Sequence, residues 1–123
     1  PLEATTLGLT VQASLASDAP RTIEARMIVE AEKLQLVVEG TEWKGQLQLL
    51  FVQRGADGRV LKNSGQVLSV TVPQDQYQRV LEEGLRFTRR APLEPYAEEL
   101  RIVLRDARSG VMGSVTVALE KRE

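Results

Sequence analysis

Apolar residues recur at every second position through most of this chain, and turn-forming residues separate the runs. That period restricts the chain to strands that each bury one face. Ile23, Ala25, Met27 and Val29 alternate with Glu24, Arg26 and Glu30, with Ile28 out of step. Leu34, Leu36 and Val38 alternate with Lys33, Gln35 and Glu39. Leu68, Val70 and Val72 flank Ser69 and Thr71, and Leu100, Ile102 and Leu104 flank Arg101. Val111, Val115, Val117 and Leu119 alternate with Ser114, Thr116 and Glu120. Leu47, Leu49 and Phe51 keep the period, but Leu50 and Val52 are apolar too. This strand is expected to be covered on both faces or central in its sheet.

Glu39-Gly40, Ala56-Asp57-Gly58, Asn63-Ser64-Gly65 and Arg108-Ser109-Gly110 supply residues that tolerate positive φ, and each is read as a turn. Two hairpins follow: Leu47–Arg54 with Arg59–Lys62, and Leu100–Asp106 with Val111–Leu119. The spacing predicts one short helix over residues 74–83, where Tyr77, Val80 and Leu81 lie at helical intervals. Pro73 stands before this segment and Gly84 after it. Pro92 and Pro95 then break the chain, and Ser14 to Pro20 reads as loop. Short strands without long helices between them predict an all-β fold. It is an antiparallel, immunoglobulin- or fibronectin-III-like two-sheet sandwich, with the helix across one end. With 123 residues the chain suits one domain. Residues 1–21, with Thr5, Thr6, Leu7, Leu9 and Val11, form an N-terminal edge strand or linker, and residues 22–123 the sandwich. The chain lacks an initiator Met and a signal peptide, and reads as a mature product or a piece of something longer.

The sequence contains neither His nor Cys. That removes the commonest general base, the thiol nucleophile, thiolate metal sites and disulfides. Ser64 and Lys62 are close, but a turn serine is ordinarily solvated. The carboxylate pairs Glu82-Glu83 and Glu98-Glu99 are sequence neighbours, whereas acid–base work needs two carboxylates in different environments across a cleft. Asp57, Asp18 and Asp106 are scattered, where a calcium loop needs several acids at alternating positions. Gly110-Val111-Met112-Gly113 lacks the glycines and the Lys-Ser/Thr of a phosphate loop, and Gly113 reads as a bulge or a close backbone approach. The expectation is a chain that is no enzyme, with no cofactor and no metal.

A formal charge of −1 gives no global pull toward nucleic acid. Arg86, Arg89, Arg90, Arg101, Arg105 and Arg108 cluster in the second half, but acids interleave with them and aromatics for base stacking are scarce. A solvated, salt-bridged face is expected, with no nucleic acid partner and no membrane insertion. Trp43, the single tryptophan, falls between two strands. Trp43 is expected to cover one end of the sandwich as a core or rim residue, and Tyr77 and Tyr96 to pack at the core edge; exposed instead, the three are the candidate contact to a ligand or partner, as a sugar-stacking platform or a protein hot spot.

The succession Trp43-Lys44-Gly45, Leu49-Leu50-Phe51-Val52-Gln53, Asp57-Gly58-Arg59-Val60, Tyr77 with Gly84, and Glu99 to Asp106 then closes with Ser109-Gly110 and Gly113-Ser114-Val115. It resembles the C-terminal region of the VWFA-related (von Willebrand factor A domain-containing) proteins of Acidobacteria, over roughly Thr22 to Leu119. The stretch LRIVLRDARSGVMGSVTV is the most specific part. The Asp-x-Ser-x-Ser adhesion motif of the A domain itself has no match here, so its metal chemistry is not carried over. The resemblance implies an accessory β-domain of an exported bacterial adhesion-type protein, in the cell envelope or outside the cell. Such a module would support or dock a neighbouring domain or protein partner. The alternative is a carbohydrate-binding module using exposed aromatics.

Overall fold

A computed structural model describes residues 7–119. Thr5, Thr6 and Glu120 lie outside the described residues. Eight strands and one short helix follow one another: β1 (Leu9–Leu15), β2 (Thr22–Val29), β3 (Val37–Glu39), β4 (Glu42–Arg54), β5 (Val60–Pro73), α1 (Tyr77–Glu83), β6 (Leu85–Pro92), β7 (Glu99–Asp106) and β8 (Met112–Ala118). All pairings are antiparallel. One sheet has the order β1-β2-β6. The other is built on β4, which pairs with β5 along one edge. Its other edge is shared: β3 takes Glu42 to Lys44, and β7 takes Leu47 to Arg54. β8 completes this sheet beyond β7.

The two sheets meet on the faces that the period-two pattern makes apolar. Ile23, Ala25, Met27 and Val29 of β2 share one buried cluster with Leu47, Leu49 and Phe51 of β4, Leu68, Val70 and Val72 of β5, and Leu100, Ile102 and Leu104 of β7. β4 is therefore central, as its apolar run predicts. Coverage of both its faces is only partial: Val52 is buried, while Leu50 is exposed.

Leu7 joins the same core, 1% exposed. Its N–H donates to the Met112 carbonyl at 2.9 Å, so the chain enters beside β8 before crossing to pair with β2. Gly113 permits this, because a Cβ there would clash with the Leu7 carbonyl oxygen. The close backbone approach expected at Gly113 is thus the passage of residue 7.

The helix forms where Pro73 ends β5. A 3-10 turn over Gln74–Gln76 leads into α1, and the Gln74 N–H donates to Thr41 O at 2.9 Å, tying the helix start to the start of β4. Tyr77 and Val80 pack on the core. Gly84 ends the helix at φ 87, a conformation that glycine adopts without strain.

Five local expectations change. Asn63-Ser64-Gly65 is no turn: these residues continue β5 and pair with Val52, Phe51 and Leu50. A long neighbouring strand supplies a continuous ladder, and strand context overrides turn propensity. The strand expected over residues 33–39 shrinks to β3, preceded by a 3-10 turn at Ala31–Lys33. There the Gln35 N–H donates to the Asp106 carboxylate at 2.6 Å instead of to a ladder carbonyl. β1 extends through Leu15, because Ser14 and Leu15 pair with Glu24 and Ile23. Trp43 lies within β4, between Val38 and Val72, rather than between strands. β6 has no counterpart in the sequence reading. Its inward side alternates Leu85, Phe87, Arg89 and Ala91, and the arginine hides the pattern. The Arg89 guanidinium sits 5.9 Å from the Phe87 ring centre.

Candidate functional site

Two side chains outside the apolar pattern hold the connections. Gln53 is buried on the inward face of β4; its amide nitrogen donates to Pro92 O at 2.9 Å and its oxygen accepts from the Glu94 N–H at 2.9 Å. Asp106 ends β7 buried, accepting from Gln35 N and, at 3.0 Å, from Arg108 N. Both are polar anchors of backbone.

The aromatic candidates divide. Trp43 and Tyr77 come together, ring centres 4.0 Å apart and planes 8° from parallel. β4 supplies one ring and α1 the other, and both pack against the core. Each ring covers a face of the other, so the pair presents no two-ring platform to a flat sugar. Emission from Trp43 is expected to shift to the red, and iodide quenching to rise, when Tyr77 is replaced by Ala. Unchanged spectra would show that the stack does not shield the indole.

Tyr96 lies at the opposite pole, separated from Trp43 by the length of β4, roughly 35 Å at the rise of an antiparallel strand. Its carbonyl oxygen is 3.6 Å from a Cβ built on Gly55. The turn Glu94-Pro95-Tyr96-Ala97 closes with Ala97 N donating to Glu94 O at 3.2 Å, and places Tyr96 at φ 70. The third position of such a turn favours glycine. The side chain is 89% exposed, so packing does not offset the strain. Tyr96→Gly is expected to raise stability by about 0.5–1 kcal/mol, the left-handed penalty less glycine's greater freedom when unfolded. Thermal unfolding measures this, and a fall in Tm would remove the strain argument.

The arginines also divide. Arg86 and Arg90 stand on the outward side of the three-stranded sheet, Arg101 and Arg105 on that of the other. Arg90 bridges Asp18 at 2.9 Å and Glu24 at 3.5 Å. Its hydrogen bond and its charge hold the Asp18 carboxyl below the usual aspartate range. This contribution to stability is present above the ordinary pKa and lost as pH falls through the lowered one. Glu83 pairs with Arg79 on the helix at 3.0 Å, and Asp57 Oδ1 accepts from Arg59 N at 2.9 Å within its turn. Among the described residues no group of three or more acids is placed to hold a metal ion.

The outward face of the larger sheet carries the surface that sequence reasoning missed. Val67 on β5, Leu50 on β4, Val103 on β7 and Met112 on β8 line a shallow groove of about 430 Å³. Val67 is 66% exposed and Met112 39%. Register places them side by side: Val67 faces Gln48, Leu50 faces both Gly65 and Val103, and Met112 faces Arg105. Gly65 leaves a notch opposite Leu50. The legible signal was the doubled apolar run Leu47 to Val52, which gives β4 an outward apolar residue. Its neighbours required the pairing register.

No known protein family matches this chain, and neither does any curated protein or solved structure.

Proposed function

We propose that this chain is a non-catalytic interaction module that docks a neighbouring domain or a protein partner through the outward face of its larger sheet. The observation that carries the reading is the apolar groove of Leu50, Val67, Val103 and Met112 on that face. A contiguous apolar surface rimmed by polar groups marks an interaction site. The sequence supports the non-catalytic half, having no His or Cys. Glu82 and Glu83 are both exposed on α1, where neither has the desolvated setting of a catalytic acid.

The finer fold assignment belongs to the same proposal. It is supported by the strand order β1-β2-β6 against β5-β4-β7-β8, which an immunoglobulin- or fibronectin-III-like sandwich would have, with the short β3 added beside β4. The exported, adhesion-type setting rests on the resemblance to VWFA-related proteins. Fold analogy alone licenses only spacing and binding roles. The aromatic geometry does not favour a sugar platform, and Tyr96 remains a second partner contact on this reading.

A photo-crosslinking residue at Val67, in the full-length protein in its native host, tests the docking face. One defined adduct, absent when the probe stands at exposed Gln12 on the other sheet, supports the proposal. Equal adducts from both positions, or none from Val67, would overturn it.

A further inference from the structure

We infer that the partner segment received by this groove is a short aliphatic stretch flanked by a carboxylate that pairs with Arg105; this rests on the docking proposal above. The groove crosses four strands, Val67 on β5 to Met112 on β8. Three inter-strand gaps span about 14 Å, the length of about four extended residues. The outward side chains that line it are aliphatic or thioether, with the Gln48 amide and the Arg105 guanidinium at the margin. That chemistry takes aliphatic side chains, and the Gln48 amide N–H groups face an extended backbone beside them.

Charge selects the rest of the partner. The outward positions beside the groove carry Arg101 and Arg105, and Glu99 shares the face only at the far end of β7, opposite Arg54. Arg105 Nη1 donates to Gln48 Oε1 at 2.8 Å, which holds the guanidinium across the sheet beside the groove. Among the described residues no carboxylate forms an ion pair with Arg105. A fixed guanidinium with donors remaining is suited to a carboxylate. A second copy seated face to face would bring Arg105 to a surface whose centre, among the described residues, carries no acid to meet it, so the occupant is a different, acidic segment.

Two synthetic hexapeptides are the probes, one with four leucines between terminal glutamates and one with lysines in place of the glutamates. Titration into the isotopically labelled chain, followed by amide NMR shifts, reads the site. The acidic peptide is expected to shift Leu50, Val67, Val103, Arg105 and Met112, and the basic peptide to bind more weakly. Arg105→Gln should weaken the acidic peptide roughly fivefold, with the loss shrinking at high salt. Val67→Lys, at an exposed position, should abolish the shifts while leaving Tm unchanged. Equal binding of both peptides would overturn the carboxylate inference and leave the docking face standing. Shifts at these residues that grow with protein concentration alone would assign the face to a second copy and overturn it. Absence of binding by either peptide would overturn it as well, whatever crosslinking at Val67 shows.

Discussion

Asp106→Ala is expected to lower the unfolding free energy by about 3 kcal/mol, the cost of leaving two backbone donors without their acceptor. The carboxylate lies at the end of β7 and takes the N–H groups of Gln35 and Arg108. One of these belongs to the segment that replaces a strand before β3, the other to the β7–β8 turn. No ladder carbonyl stands where the carboxylate does, so truncation disconnects both segments. For a chain of this length the loss corresponds to a fall in Tm of about 12 °C. Asp106→Asn keeps one oxygen and turns a donor toward the other N–H, so it should recover less than half of the loss. Hydrogen exchange of the Gln35 and Arg108 amides distinguishes this cause from a general loosening: both should lose protection before the strands do. An Asp106→Ala protein with the parent Tm would show that the carboxylate is dispensable.

Gly113→Val is expected to cost a similar amount, about 3 kcal/mol, by expelling the segment that carries Leu7. The added Cβ meets the Leu7 carbonyl oxygen, and backbone on backbone cannot yield as a flexible side chain can. Displacement loses the burial of Leu7, about 1.5–3 kcal/mol for a leucine, together with the Leu7-to-Met112 hydrogen bond. The double-mutant cycle gives the sharper result. Leu7→Ala should be costly in the parent chain and nearly neutral in Gly113→Val, because the side chain has already left the core. Additive effects would mean that the valine is accommodated without moving residue 7.

The parts of the fold that are legible in the sequence are those set by local pattern. The two hairpins, the helix with its proline and glycine boundaries, and the central place of β4 follow from period, turn chemistry and a doubled apolar run. β6 was hidden because Arg89 occupies an inward position, and three arginines in six residues read as a solvated surface. Asn63-Ser64-Gly65 read as a turn because those residues tolerate one, while β4 held them in a ladder. The site was less legible. Trp43 and Tyr77 stack across 34 residues of sequence through the approach of α1 to β4, which no spacing rule encodes. The groove needs the register of four strands, since Val67, Leu50, Val103 and Met112 become neighbours only through pairing. Gln53 and Asp106 gave no signal, because a buried polar residue is defined by the backbone groups it meets.

Leu7 sits beside Met112 at one end of β8, and Leu119 N donates to Glu98 O at the other end at 2.9 Å. The two ends of the described chain therefore leave from opposite poles, separated by a seven-residue strand, on the order of 20 Å. A tensile load applied through these ends runs along the strands. The β1–β2 and β7–β8 ladders then resist by shear, many hydrogen bonds at once, rather than peeling apart one bond at a time. The strand register that holds Leu50 beside Val103 and Gly65 would stay in place until those ladders yield.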